Sequence, residues 1–493
     1  MKKANKKYIF VLCLFIGLMI SISSVHAIEA YIESSKVSYD NKYTDKNNVQ
    51  DSIDELYERS GIHKEKWVDP ILNGADPVLK APLIPVEIKS NGDVYYANIN
   101  SEWYNYKEKK WANAIILVDN PSNQYKVGDL ILEDDIESYF VWIPRYRYRI
   151  WTLANSDEFT HIVDTKLLAD NELYKITGSA RVIDVEFGNT DKVPKMNESG
   201  AKLNEYYTHP AFTLGDKNLN GFWVGKFETG YKGATSVESA QVNSEEKDSV
   251  IIKPNVYSWR SITIKNIFNT SYNYARELES HMLKNTEWGA VAYLSHSQYG
   301  ISTEVRINNH SEYKTGYSAA GDVNVNLYPM TTGTSDTITQ PWNTPVGYLA
   351  STTGNITGVY DMSGGAWEYV ASCIDGMKGN SSFTLEEIEQ EEKKGYIDKY
   401  KAGSLISSFN NRILGDATGE MGPFYQYYDG ASSQRNNWYQ DHSYFLDSTG
   451  GNNWLFRGGD YTYGKHAGQF VFSASSGGVG NNNTFRIVLM PTI

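Results

Sequence analysis

Between Arg457 and Arg486 the chain reads RGGDYTYGKHAGQFVFSASSGGVGNNNTFR. Gly, Ala and Phe make a regular frame. The residues set between them are chemically mixed: Asp460, Tyr461, Tyr463, Lys465, His466, Gln469, Val471, Ser473, Ser475 and Ser476. They share no catalytic theme, but they put aromatic rings, hydroxyls, a carboxylate and two basic groups at close spacing. Stiff aromatics lose little entropy when a partner docks, and short polar residues adapt to it. The chemistry this pattern suits is recognition. Covalent catalysis has thinner support: the only cysteines are Cys13 and Cys373, and the nine histidines include no His-x3-His pair.

These residues need an element to carry them. From Gly468 to Ala474, Phe470, Phe472 and Ala474 alternate with Gln469, Val471 and Ser473. Period two predicts a strand whose Phe face is buried and whose other face is free. Gly458 and Gly459 let the backbone turn before it. Arg486 is expected to lock the last strand through backbone or a carboxylate. The plainer alternative is a loop-rich terminal strand whose gaps are simply solvent-exposed.

The rest of the chain bounds the setting. Its 493 residues exceed one ordinary core, so one large domain or two are expected, with N-terminal accessories. With 41% hydrophobic and 21% charged residues the composition is globular. Thirty-seven Tyr and twelve Trp serve either a binding surface or an irregular fold that uses Tyr as amphipathic filler. Residues 1–27, MKKANKKYIFVLCLFIGLMISISSVHA, read as a secretory signal peptide: four lysines, an apolar run and a small-x-small end. The run also has nearly the length of a membrane anchor. Cleavage moves the net charge from −13 to −17 by removing four lysines. So acidic a chain repels nucleic acid, and no basic stripe offsets this. Cys373 then stands alone, which rules out an internal disulfide and leaves stability to packing and a metal.

Along the chain, residues 28–65 form a polar linker. Within it, Val49, Ile53, Leu56 and Tyr57 recur at helical spacing, for a docking helix or an oligomerisation stalk. Residues 66–135 read as a separate small antiparallel β module, split by Pro, Gly and Asn-Gly. Residues 136–493 form the main domain. There Arg145, Arg147 and Arg149 alternate as on a solvated face, and SYNYARELESHMLKNTEWGAVAYLSHS predicts two helical segments. Residues 376–402 read as a charged surface insertion.

Several segments then occur in a recognisable order: FVWIP; HPAFTLGDKNLNGFWVGKFETG; LKNTEWGAVAYLS with Thr286, Glu287 and Trp288; GVYDMSGGAWEYVAS; and LFRGGDY with a closing FRIVL. Together they resemble the sulfatase-modifying-factor family, which holds the formylglycine-generating enzyme. The resemblance implies an α+β, C-type-lectin-like fold over about residues 139–490. It does not carry the enzyme's activity, because that branch uses a C-terminal cysteine pair and residues 457–493 contain no Cys. It implies a structural calcium ion, Ca2+, on Asp361, Gly364, Ala366 and Glu368; local capping and pairing of Asp361 and Glu368 is the alternative. Trp288 and Trp367 are assigned to the core.

The frame at Arg457, Gly458, Gly459, Gly464, Ala467, Gly468, Phe470, Phe472, Phe485 and Arg486 resembles a narrower group, the variable proteins of diversity-generating retroelements. In that group the gap residues are the diversified, ligand-binding set. The expectation is an exported, non-enzymatic, adhesin-like protein, secreted or on a bacterial cell surface. Its C-terminal face would meet a protein or glycan. The alternatives are an enzyme of the same fold and a structural surface or prophage-derived component.

Overall fold

The computed structural model describes residues 73–119, 124–149, 183–188, 206–320, 338–400, 415–418, 425–428, 433–436, 441–443 and 451–491. The chain divides into two units, Met1–Leu72 and Asn73–Ile493, and every described residue belongs to the second. The expected signal peptide at 1–27 and the expected amphipathic helix within 28–65 lie outside the described residues. Among the described residues no helix is long and apolar enough to cross a membrane.

Sixteen strands make two large sheets. In chain order they are β1 (Ile84–Ile88), β2 (Val94–Tyr96), β3 (Asn113–Leu117), β4 (Leu130–Ile131), β5 (Ile136–Pro144), β6 (Gly221–Gly225), β7 (His281–Met282) and β8 (Trp367–Ile374). Then follow β9 (Asp398–Tyr400), β10 (Tyr425–Tyr428), β11 (Ser433–Asn436), β12 (His442–Ser443), β13 (Trp454–Gly458), β14 (Gly468–Ser475), β15 (Asn483–Phe485) and β16 (Ile487–Leu489). The first sheet runs β7-β16-β6-β5-β3-β1-β2-β4. The second runs β9-β8-β13-β14-β12-β11-β10, with β15 beside β8. With three described α-helices, α1 (Ile264–Tyr274), α2 (Asn285–Ser295) and α3 (Leu385–Lys393), the fold is α+β.

The first sheet is organised by β5, whose run IESYFVWIP is buried from Tyr139 to Ile143. A strand apolar at every position is covered on both faces and needs neighbours on both edges. β6 supplies one, pairing Trp223 with Trp142, and β3 supplies the other, pairing Ile115 with Tyr139. This corrects the reading of residues 66–135 as a module of their own. Their strands extend the main sheet, and all five residues of β3 are buried. The junction is also polar. Trp111 donates its backbone N–H to Thr357 Oγ1 at 3.0 Å, and buried Lys226 donates Nζ to Asn113 Oδ1 at 2.9 Å.

Two helical segments are present, but the first starts earlier than expected. α1 begins at Ile264 and buries Ile264, Ile267, Phe268 and Ser271 on one stripe. All eleven residues of α2 are buried, so it has no polar face for periodicity to reveal. The Arg row is not a solvated face. Arg145 is buried and donates Nη1 to the carbonyls of Phe212 and Leu219, both at 3.0 Å. Arg147 pairs with Glu186 at 2.6 Å, and the side chain of Arg149 lies outside the described residues. The charged stretch after Gly376 does more than decorate the surface. α3 is closed by a capping box between Thr384 and Glu387, and the chain then adds β9 to β8 in parallel.

β8 (WEYVASCI) is the buried spine of the second sheet. The last two strands divide between the sheets: β15 pairs with β8, and β16 pairs with β6 and β7. Arg486 is the single residue between them.

Candidate binding face

β13 and β14 are antiparallel, with Arg457 opposite Phe472 and Gly458 opposite Gly468, and a bulge between these pairs. The connection from Gly459 to Ala467 is therefore a hairpin loop that carries half of the mixed residues. Asp460 pins it: Oδ1 accepts from the N–H and O–H of Thr462 at 2.9 and 2.6 Å, and Oδ2 accepts from Asn482 Nδ2 at 2.9 Å. Tyr463 N–H returns to Asp460 O at 3.0 Å, and a short 3-10 turn over Gly464–His466 closes the loop. Two glycines have steric reasons. Gly458 holds φ +84, and a Cβ on Gly468 would lie 2.2 Å from an Asp441 carboxylate oxygen. Asp441 needs that approach to accept the Phe470 N–H at 2.9 Å.

Tyr461, Tyr463 and His466 are half-buried on this loop. Their rings are braced. Tyr461 stands edge-on to Tyr313 at 4.9 Å and 89°. Tyr463 is edge-on to Trp367 at 4.8 Å and to His442 at 5.7 Å, and it packs against Ile307, Ala319 and Ala467. Tyr313 in turn carries the Arg260 guanidinium 4.1 Å above its ring. Burial, with Asp460 adding to it, pushes the Tyr313 hydroxyl up to about 12 and raises that of Tyr463. Burial, with His466 nearby, lowers His442 to about 4. At neutral pH Tyr313, Tyr463 and His442 are therefore uncharged, and the two tyrosines offer neutral hydroxyls.

The other positions divide. Ser473 is half-buried, as a displayed residue should be. The side chain of Lys465 lies outside the described residues. Three expectations of display are corrected: Gln469 is 1% exposed, Val471 0% and Asp460 6%. β14 is an interior strand with β13 on one edge and β12 on the other, and it is covered on both faces to Phe472, so alternation leaves no free face there. Among the described residues the buried amide of Gln469 finds no hydrogen-bond partner at either Oε1 or Nε2.

The frame arginines are structural. Arg457 is buried and donates to Asn285 Oδ1 at 2.8 Å and to the carbonyls of Asp416, Ala417 and Gln469. Burial pulls its pKa down to about 10. Arg486 gives Nε and Nη2 to both oxygens of Glu368, and further bonds to Gly225 O at 2.7 Å and Tyr360 O at 3.0 Å. Its expected locking role is what the structure has.

The four residues tied to calcium can be tested for fit. Both Glu368 oxygens are engaged by Arg486. Asp361 Oδ1 accepts from Asn308 Nδ2 and Gly316 N–H, both at 2.9 Å. Gly364 donates its N–H to Gly458 O, and Ala366 donates its N–H to Glu228 Oε1. Calcium takes six to eight oxygens; Gly364 and Ala366 would offer backbone carbonyls, and Glu368 would have to share its oxygens with Arg486 or release it. Among the described residues no group of three or more His, Cys, Asp or Glu is placed to hold a metal. Asp361 also clamps the segment Asn308–Gly316.

Cys373 is buried in β8, and burial pushes its thiol up to about 12, so it offers no thiolate at neutral pH. Trp288 and Trp367 are core residues. Sequence reading missed Tyr313, Arg260 and Asn482, which support the loop from distant segments. HSEYKTGY around Tyr313 has no motif or period that would have marked it. No protein-family model matches the chain, and comparison with curated proteins finds no match.

Proposed function

We propose that this chain is an exported, non-enzymatic binding protein on a C-type-lectin-like fold, adhesin-like in its setting, and that the loop from Gly459 to Ala467 is its contact surface. The observation that carries this reading is the bracing of Tyr461 and Tyr463. Half-exposed rings held by Tyr313, Trp367 and His442, on a loop pinned by Asp460, are ordered before a partner arrives. Preorganised aromatics lose little entropy on binding.

The gap residues would be a diversified set. Gln469 supports this reading from an unexpected side. A buried amide without a partner is costly, and such a residue is one that a fold tolerates rather than requires. Sequencing the locus in sister isolates tests the idea: changes confined to the gaps are expected, and changes spread evenly along the gene would end it.

The binding reading is tested by capture from a cell-surface extract and on a glycan array. The full chain is compared with a variant carrying Tyr461→Ala, Tyr463→Ala and His466→Ala. Loss of capture with melting preserved is expected. Equal capture by both proteins would move the site elsewhere, and no capture by either would favour a structural surface component.

A further inference from the structure

The loop from Gly459 to Ala467 does not stand alone at the surface. One residue, Gly365, joins it to a second loop: its N–H donates to Asn308 O at 2.7 Å, and its carbonyl accepts the Tyr461 N–H at 2.9 Å. The second loop is clamped at both ends by Asp361, through Asn308 Nδ2 and the Gly316 N–H. At its crown Tyr313 sits at φ +53, a left-handed conformation that is uncommon for a non-glycine residue. Ser258 holds it there, donating its N–H to Tyr313 O at 2.9 Å, while its hydroxyl lies between Glu228 Oε2 at 2.5 Å and Tyr313 O at 3.0 Å. Arg260 supports the ring from one side, bonded to the carbonyls of Asn481 and Val237. The whole arrangement spends a strained residue, a buried arginine and a buried aspartate on presenting one half-exposed ring beside Tyr461.

We propose that the loop Asn308–Gly316 is the second half of the binding face, that Tyr313 contacts the partner beside Tyr461, and that the partner is a polypeptide. The proposal rests on the binding reading above. It adds a constant anchor, outside the gap residues, to a face whose other half varies. The choice of polypeptide follows from ring geometry. The two half-exposed rings that would meet it, Tyr313 and Tyr461, stand at 89° to each other. Rings set at right angles form no continuous flat platform for a sugar to stack on. They present edges and hydroxyls, which suit the amides and carbonyls of a protein chain, as tyrosine-rich antibody loops do.

The test uses the full chain and a cell-surface extract in three arms: untreated, digested with protease, and oxidised with periodate. Tyr313→Asn is the main variant, because Asn tolerates the left-handed conformation. Tyr313→Phe, which keeps the ring packing, is the second, and Tyr461→Ala marks the other half. Exposed Leu132→Ser, just after β4, serves as a control outside the face. Capture is expected to be lost after protease and kept after periodate. It should fall about tenfold or more in Tyr313→Asn, fall about threefold in Tyr313→Phe, and stay unchanged in Leu132→Ser, with melting temperatures preserved. Capture that survives protease and is lost to periodate would overturn the polypeptide assignment. Wild-type capture by both Tyr313 variants, with loss in Tyr461→Ala, would remove the second loop and leave the binding reading intact. Insensitivity to Tyr313 and Tyr461 alike, or no capture by the unaltered chain, would overturn both.

Discussion

Arg486 sits between the last two strands and closes a two-pronged ion pair on Glu368, with Nε–Oε2 at 2.9 Å and Nη2–Oε1 at 2.5 Å. Because those strands belong to different sheets, this one guanidinium ties the sheets together: Glu368 lies in β8, and Gly225, whose carbonyl it also holds, ends β6. Burial works to lower Arg486, yet Glu368 outweighs it and holds the guanidinium above its ordinary value.

Arg486→Met is therefore expected to destabilise the protein by about 3–5 kcal/mol, since it leaves Glu368 buried without a partner. The double variant with Glu368→Gln should recover part of that loss. Recovery should be incomplete, because Asp361 and Glu228 remain buried near the vacated position and both lose a cation. Urea unfolding of the three variants measures the coupling directly.

Calcium and the guanidinium compete for the same carboxylate. With Arg486 seated on both Glu368 oxygens, millimolar calcium or a chelator is expected to leave the melting temperature of the protein unchanged to within about 1 °C, which for a folded unit of this size corresponds to about 1 kcal/mol. A shift of several degrees upward with calcium would show that the ion binds at the cost of the pair.

His209 makes stability fall in mild acid. Its ring is buried; Nε2 faces Gly415 O at 2.7 Å, and Nδ1 accepts the Ala211 N–H at 3.2 Å. Burial lowers its pKa from 6.5 to about 3, so the folded protein holds it neutral. The unfolded chain binds the proton more readily, so this contribution is full above pH 6.5 and is lost as pH falls from there toward 3. His442, lowered to about 4, acts in the same direction. Denaturant midpoints measured from pH 7 to pH 4 should drop steadily, and His209→Gln should flatten the slope.

Gln469→Met is expected to stabilise the protein by about 1–2 kcal/mol, because it removes an unpaired buried amide while keeping the volume. A loss of stability in denaturant titration would mean that the amide has a partner that the fold requires. Trp288 and Arg457, which bond the Gln469 carbonyl, are untouched by this change.

Much of this molecule was legible in order along the chain. The apolar run FVWIP falls in β5, the RGG…FR frame pointed to a locking Arg486, and Trp288 and Trp367 were assignable to the core from their setting. Each of these follows from local pattern, because burial on both faces or a turn of defined shape restricts residue type at every step. Tertiary structure decided the rest. Alternation in GQFVFSA predicts two faces, but only the packing of distant segments over both faces of β14 leaves neither free at Gln469 and Val471. Asp361 and Glu368 carry the residue types of a calcium site, yet their partners, Asn308, Gly316 and Arg486, come from other parts of the chain. Tyr313 was unreadable for the same reason: its role comes from Tyr461 and Arg260, which meet it only in the folded state. Sequence determines which side chains can be buried or displayed. Which of them meet is set by contacts between distant segments, and no local period encodes those.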